Sequence, residues 1–183
     1  KISQYKLTTF CAPPTMNRFM LQEKVEDYDL SSVENWATAG EPLNPEVFNR
    51  WEELTGHKIA NGFGQTEGTV LVANFKWFET KSGAMGKPSP IYNIKLLDSD
   101  GNECESGEEG ETVICGIDKE PPVGLFIGYY RDEEQTKEAL GSGNYNLKDV
   151  AWQDQDGYMW FVGRHDDVIK CSGYRIGPFE VES

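Results

Sequence analysis

The stretch from residue 33 to residue 62 confines the chain to one kind of architecture. Residues 33–39 (Val-Glu-Asn-Trp-Ala-Thr-Ala) read as a buried strand, and Asn44-Pro45 follows as a helix cap with a first-turn proline. Val47, Phe48, Trp51 and Leu54 then recur at helical spacing until Gly56 stops the run, and residues 58–62 return as a short strand. Strand, helix and strand within 30 residues predict parallel pairing, because a helical crossover brings the second strand back in the direction of the first. Upstream, residues 7–11 predict a further strand ended by Pro13-Pro14, and Met16, Phe19 and Met20 predict a helix over 15–23. The first third is expected to be an α/β layer.

From about Gly83 the texture changes. Residues 94–97, an Asp98-Ser99-Asp100-Gly101-Asn102 turn and residues 112–115 predict one hairpin. Residues 145–152 and 158–162 flank Asp154-Gln155-Asp156-Gly157 as a second, and a smaller one surrounds Ser172-Gly173. Residues 132–140 predict a short surface helix capped by Asp132. The spaced rings Phe126, Tyr129 and Tyr130 read as wall of this β unit. The fold class is therefore α/β plus β, a strand-helix α/β subdomain followed by a mostly antiparallel β unit, with the boundary near residue 85.

Composition narrows the partners. Seventeen Lys and Arg against 31 Asp and Glu leave a formal charge of −14, which repels phosphate backbones and speaks against nucleic acid. The longest nearly apolar run, residues 123–130, is far shorter than a membrane span needs. Seven acids between Asp98 and Glu111, with no Lys or Arg among them, read as a solvated loop. Cys11, Cys104, Cys115 and Cys171 form no Cys-x-x-Cys pair, so a reducing compartment, the cytoplasm, is expected. Lys1 in place of Met, and an end at Glu-Val-Glu-Ser just after Gly177-Pro178, read as an excised piece. Oligomeric state has no signature here.

Three stretches could carry chemistry. In Asn61-Gly62-Phe63-Gly64-Gln65-Thr66-Glu67-Gly68, read as a loop beyond a strand end, glycines let backbone amides approach an anion, Phe63 offers a ring face, Thr66 a hydroxyl and Glu67 a hard oxygen ligand for Mg²⁺. The same spacing suits a plain Gly-rich turn, since three glycines without a Lys are no phosphate loop. Gly40-Glu41-Pro42-Leu43 lies at another strand end, where capping alone accounts for the acid. Residues 149–175 gather Asp149, Arg164, Asp166, Asp167 and Arg175 around short strands, either as a diol and phosphate clamp or as a charge-alternating surface. His57 and His165 have no Gly-x-Ser-x-Gly elbow or zinc-ligand spacing to serve, so Ser-His-Asp hydrolysis and zinc chemistry are set aside.

In order, Ala39-Gly40-Glu41-Pro42-Leu43, Gly62-Phe63-Gly64-Gln65-Thr66-Glu67, Gly83-Ala84-Met85-Gly86-Lys87, Asp156-Gly157-Tyr158, Gly163-Arg164-His165-Asp166-Asp167 and Ser172-Gly173-Tyr174-Arg175-Ile176-Gly177-Pro178-Phe179-Glu180 resemble the acyl-adenylate-forming enzymes, in particular the medium-chain acyl-CoA synthetases. The resemblance implies ATP, Mg²⁺ and coenzyme A chemistry on a small-molecule carboxylic acid. It implies that residues 1–85 belong to the α/β subdomain of the AMP-binding domain, 86–163 to a distorted antiparallel β-barrel subdomain, and 164–183 to the hinge and beginning of the C-terminal domain. It further implies that Gly40, Glu41, Pro42, Asn61, Gly62, Phe63, Gly64 and Gln65 surround AMP or ATP, with Phe63 on the adenine. Thr66 and Glu67 would meet phosphate and its Mg²⁺, Asp149 the ribose hydroxyls, and Arg164 and Arg175 the phosphate side. Ser172, Gly173 and Tyr174 would face coenzyme A, and Asp166 would be the hinge. Thr66, Glu67 and Arg164 are then the catalytic set. Leu147-Lys148-Asp149 stands where the family has Thr-Gly-Asp, with Lys148 in place of the glycine. The family's phosphate-loop Lys and adenylation Lys match no position in the chain, so the chain alone is expected to be inactive. Another adenylating ligase for acetate, propionate or an aryl acid, and a catalytically silent nucleotide- or acyl-binding module, are the alternatives.

Overall fold

The computed structural model describes residues 1–167 and the backbone of residues 169–171 and 174–176. Its first layer comprises α1 (Ile2–Tyr5), β1 (Thr9–Cys11), α2 (Pro14–Met20), β2 (Asn35–Ala39), α3 (Pro45–Thr55), β3 (Ile59–Gln65), β4 (Gly68–Ala73) and β5 (Lys87–Pro88). The sheet order is β1-β2-β3-β4-β5, with β1, β2 and β3 mutually parallel as the strand-helix alternation predicts. At the head of α3 the Asn44 side chain accepts a hydrogen bond from the Glu46 amide at 2.7 Å, and the helix ends on Gly56 at φ 72°. Phe48 and Trp51 are buried from α3 against Trp36 and Ile59, with the Trp36 and Trp51 rings 4.4 Å apart. The Trp36 indole donates at 3.0 Å to Asn17, which is fully buried on α2. This pairing satisfies a polar side chain that would otherwise be costly inside the core.

α2 stops three residues short of the expected 15–23. The amides of Gln22 and Glu23 turn back to the carbonyls of Phe19 and Met20, closing the helix with tight three-residue turns. Met16 and Phe19 remain about half exposed, so the apolar spacing there is not a buried face.

The second layer is an antiparallel sheet of β6 (Ile94–Leu97), β7 (Glu109–Cys115), β8 (Asn144–Gln153) and β9 (Met159–Arg164), in that order, with α4 (Glu133–Leu140) between β7 and β8. The Asp132 side chain caps α4 by accepting from the Gln135 amide at 2.9 Å. Among the described residues no pairing closes this sheet into a barrel. Its inner face, with Leu96, Ile114, Leu147 and Met159, instead packs on Leu71 and Val72 of β4. β10 (Ile169–Cys171) and β11 (Tyr174–Ile176) pair antiparallel around residues 172 and 173.

The layers are tied where the chain passes from one to the other. The Met85 amide donates to the Met159 carbonyl at 2.9 Å, and the Met159 amide donates back to Gly86 at 2.8 Å. The acidic stretch forms an exposed turn in which the Asp98 carboxylate accepts from the amides of Asp100 and Asn102.

Candidate functional site

Residues 61–68 are not a loop beyond a strand. β3 runs through Gln65, only Thr66 and Glu67 form the turn, and β4 returns antiparallel with Gln65 opposite Gly68. Gly64 serves close packing of the hairpin. A Cβ on Gly64 would lie 3.0 Å from the Gly68 carbonyl oxygen and 3.1 Å from the Val70 amide nitrogen, beside the irregularity between Phe63 and Gln65. Spacing alone cannot separate a glycine that frees an amide from one that admits a neighbouring strand.

β8 carries a larger irregularity. Glu111 of β7 pairs with Val150 and Val113 with Asn146, so three residues, Leu147, Lys148 and Asp149, face Thr112 alone. Lys148 takes φ 59°, and its amide donates to the Asn146 side chain at 2.7 Å. The bulge delivers Asp149 to a cleft between the two sheets. Its carboxylate accepts from the Gln65 side-chain amide at 2.6 Å on one oxygen and from the Arg164 guanidinium at 3.1 Å on the other. Arg164 is directly opposite Asp149 on β9 and also donates to the Leu147 carbonyl at 3.2 Å. Gln65 donates in addition to Leu147 at 2.7 Å and accepts from the Tyr145 hydroxyl at 3.1 Å.

Asp149 is 3% exposed. Burial pushes its carboxyl above the ordinary aspartate value, outweighing the Arg164 charge and the hydrogen bonds from Gln65 and Arg164. With a raised folded-state value, the stabilising contribution of Asp149 is full below its ordinary value of 3.8 and is lost as pH rises through the raised one. A near-neutral solution therefore holds this carboxylate at a cost to the fold, as functional sites commonly do.

The cleft has a volume of about 250 Å³ and is lined by Gly40, Glu41, Pro42, Asn61, Gly62, Phe63, Gly64, Gln65, Asp149 and Arg164, all expected site residues. Leu43, Gly83 and Met85, which lie in the quoted motifs without an assigned role, and Phe161, which lies in none, complete it. The Phe63 and Phe161 rings are 6.3 Å apart, and both line the cleft. The Glu41 carboxylate accepts from the Thr15 hydroxyl of α2 at 2.8 Å. Thr66 and Glu67 line an adjoining cleft of about 460 Å³ that shares Gln65 and Arg164 with the first. There the Tyr129 hydroxyl donates to Glu67 Oε1 at 3.0 Å. Burial, then the hydrogen bond and negative charge of Glu67, hold the Tyr129 phenol above its ordinary value, and burial and Glu67 do the same for Tyr145.

The rings at 126, 129 and 130 thus do not form one wall. Phe126 packs on the core, Tyr129 turns its hydroxyl to Glu67, and Tyr130 is 85% exposed. The i, i+3 spacing carried the sense of a shared face, but residues 123–130 form neither helix nor strand, so no common face exists. Asp166 lies in an exposed turn after β9. Ser172 and Gly173, and the side chains of Tyr174 and Arg175, lie outside the described residues. Among the described residues no three His, Cys, Asp or Glu side chains gather as a metal-ion cluster. No described helix is long and apolar enough to cross a membrane.

A family model described as AMP-binding enzyme matches residues 1–130. The chain belongs to that family. Relatives agree over its whole length: it is 43% identical over 182 residues to a mitochondrial acyl-coenzyme A synthetase of Rattus norvegicus, covering 100% of the chain and 31% of that protein. It is 42% identical over 183 residues to 4-hydroxybutyrate–CoA ligase 1 of Metallosphaera sedula, covering 100% of the chain and 32% of the ligase. Among solved structures, the anthranilate CoA ligase AuaEII in complex with anthranoyl-AMP superposes with a TM-score of 0.87 at 31% identity, covering 99% of this chain and 34% of that one. The chain spans about a third of the length of the relatives it matches. The mixed parallel and antiparallel layers are those of this AMP-binding fold.

Within the family pattern, the glycine position before the aspartate falls on Lys148, and its φ of 59° explains why glycine suits it. Lys148→Gly is expected to stabilise the folded chain by about 0.5 to 1 kcal/mol, the relief of left-handed strain less the added freedom of the unfolded chain. Urea denaturation measures this, and a lower midpoint in the variant would show that the Lys148 side chain itself supports the bulge.

Proposed function

We propose that this chain is a stretch of an AMP-forming acyl-CoA synthetase, an acid–thiol ligase. The whole enzyme would join a small carboxylic acid to ATP and pass the acyl group to coenzyme A. The observation that carries the reading is the buried Asp149 carboxylate held between Gln65 and Arg164 at the cleft. Each of its oxygens has a second lone pair beyond the bond already made, enough to accept one hydroxyl of a vicinal diol. A ribose placed there puts a base beside Phe63 and the Gly40–Pro42 turn, and the phosphates toward Arg164, Thr66 and Glu67. The side chain of Arg175 would join the phosphates from beyond the described residues.

Attack of a weak carboxylate nucleophile on a phosphate needs alignment and charge neutralisation more than an acid or a base. Arg164 supplies a fixed cation whose second bond, to Leu147, holds it in place. Glu67 is a single hard oxygen ligand, and this suits Mg²⁺, which typically takes one or two carboxylates with the rest of its shell from phosphates and water. Bound there, Mg²⁺ would neutralise phosphate charge. Ser172, Gly173 and Tyr174 are assigned to the coenzyme A surface and Asp166 to the hinge. Residues 1–85, 86–163 and 164–183 are taken as α/β subdomain, β subdomain, and hinge with the opening of the C-terminal domain.

The −14 charge supports small-molecule partners rather than nucleic acid, and the cysteine pattern supports a reducing, cytoplasmic setting. The test is acid-dependent ATP–pyrophosphate exchange by the whole enzyme over straight-chain acids of increasing length plus benzoate. Exchange that peaks at a mid-length acid is expected. ATP binding without exchange for any acid would replace the synthetase with a silent nucleotide-binding module, and a peak at acetate, propionate or benzoate would move it to a neighbouring ligase class.

A further inference from the structure

We propose that Tyr129 is a positioning residue for Glu67, presented by a strap over residues 124–129 that fastens the β3–β4 turn; this rests on the reading of Glu67 as the Mg²⁺ ligand. Glu67 sits in a two-residue turn, and a glutamate left free there would lose side-chain entropy on being fixed at a metal ion. The structure fixes it beforehand. The strap runs along the turn on main-chain bonds: the Phe126 amide donates to the Glu67 carbonyl at 2.7 Å, and the Thr69 amide donates to the Gly124 carbonyl at 3.2 Å. Gly68 and Leu125 form an antiparallel bridge between these two bonds.

The strap is itself anchored. The Tyr129 amide donates to the Thr136 hydroxyl of α4 at 2.8 Å, and that hydroxyl donates to the Asp132 carbonyl at 2.7 Å. The Phe126 ring is edge-on to both Tyr129 and Tyr145, at 4.9 Å and 5.5 Å, and restricts both phenols. From this frame the Tyr129 hydroxyl occupies Glu67 Oε1. One carboxylate oxygen is thereby held by a neutral donor, and Oε2 remains as the oxygen to meet a cation. The arrangement repeats on the other side of the turn, where the Tyr145 hydroxyl donates to Gln65, the residue that holds Asp149. The Tyr129 phenol thus holds the Glu67 carboxylate directly, and the Tyr145 phenol reaches the Asp149 carboxylate through Gln65.

Tyr129→Phe removes only the hydroxyl. With Mn²⁺ as the probe in the whole enzyme, electron paramagnetic resonance should show Mn²⁺ affinity in the presence of ATP falling about tenfold, the usual scale for loss of an outer-shell partner of a metal ligand. Metal-free AMP affinity and the thermal midpoint should stay at the parent values, and Tyr130→Phe, at an exposed neighbouring ring, should change none of the three. If Tyr129→Phe leaves Mn²⁺ affinity within twofold while Glu67→Gln lowers it strongly, the positioning role is overturned and the Glu67 assignment stands. If Glu67→Gln also leaves Mn²⁺ affinity unchanged, the assignment of Glu67 falls and the role of Tyr129 with it. Equal losses of Mn²⁺ and AMP affinity in Tyr129→Phe would show a structural role only, and would overturn the proposal as well.

Discussion

Asp149→Ala in the whole enzyme is expected to raise the Kd for ATP by roughly 30- to 150-fold, about 2 to 3 kcal/mol, the scale of hydrogen bonds to a charged acceptor. The loss has two parts. The ribose hydroxyls lose their acceptor, and Gln65 and Arg164 lose the group that orients them, although both keep the Leu147 carbonyl. Stability should respond differently from affinity. Because burial disfavours the ionised carboxylate, removing it at neutral pH relieves an electrostatic cost while it opens a small polar void. The midpoint of unfolding should therefore fall much less than the affinity does. Calorimetric titration with ATP alongside urea denaturation separates the two, and unchanged ATP affinity would remove Asp149 from the site.

Gly86→Ala should be the most damaging single substitution for the fold. Gly86 has φ 112°, which L residues rarely adopt, and a Cβ there would lie 2.1 Å from the Ala73 carbonyl carbon and 2.5 Å from the Asn74 amide nitrogen. Both neighbours are backbone, so no side chain can swing aside. The Gly86 carbonyl also accepts from the Met159 amide of β9, and the adjacent Met85 amide donates to the Met159 carbonyl, so moving Gly86 away from β4 pulls on the seam between the two sheets. Strain and overpacking together predict about 3 to 5 kcal/mol of destabilisation, a large share of the stability of an ordinary domain. Urea denaturation measures it, and a loss below about 1 kcal/mol would show that the seam yields easily.

Much of the secondary structure was legible because its signals are short-ranged. Asn44, Pro45 and Gly56 punctuate α3 through bonds within a few residues, and Asp132 does the same for α4. The apolar face of α3 and the parallel order of β1, β2 and β3 follow from that alternation. Residues 61–65 were misread because a glycine that admits the adjacent strand, as Gly64 does, and a glycine that frees an amide look alike in the sequence. The motif residues were identified by likeness to a family, and that likeness says nothing of Phe161, Tyr145 or Tyr129.

Local periodicity and capping chemistry thus set where helices and parallel strands form, and ordered motifs placed the chain among the AMP-binding enzymes. Tertiary structure decided who meets whom. Gln65 finds Asp149 from 84 positions away, Tyr145 finds Gln65 from 80, and Tyr129 finds Glu67 from 62. Those meetings depend on a three-residue bulge in β8 and on β4 packing beneath the antiparallel sheet. A hydrogen bond between distant side chains leaves no periodic trace in the chain, because its geometry is fixed by how the sheets stack rather than by the spacing of the residues that make it.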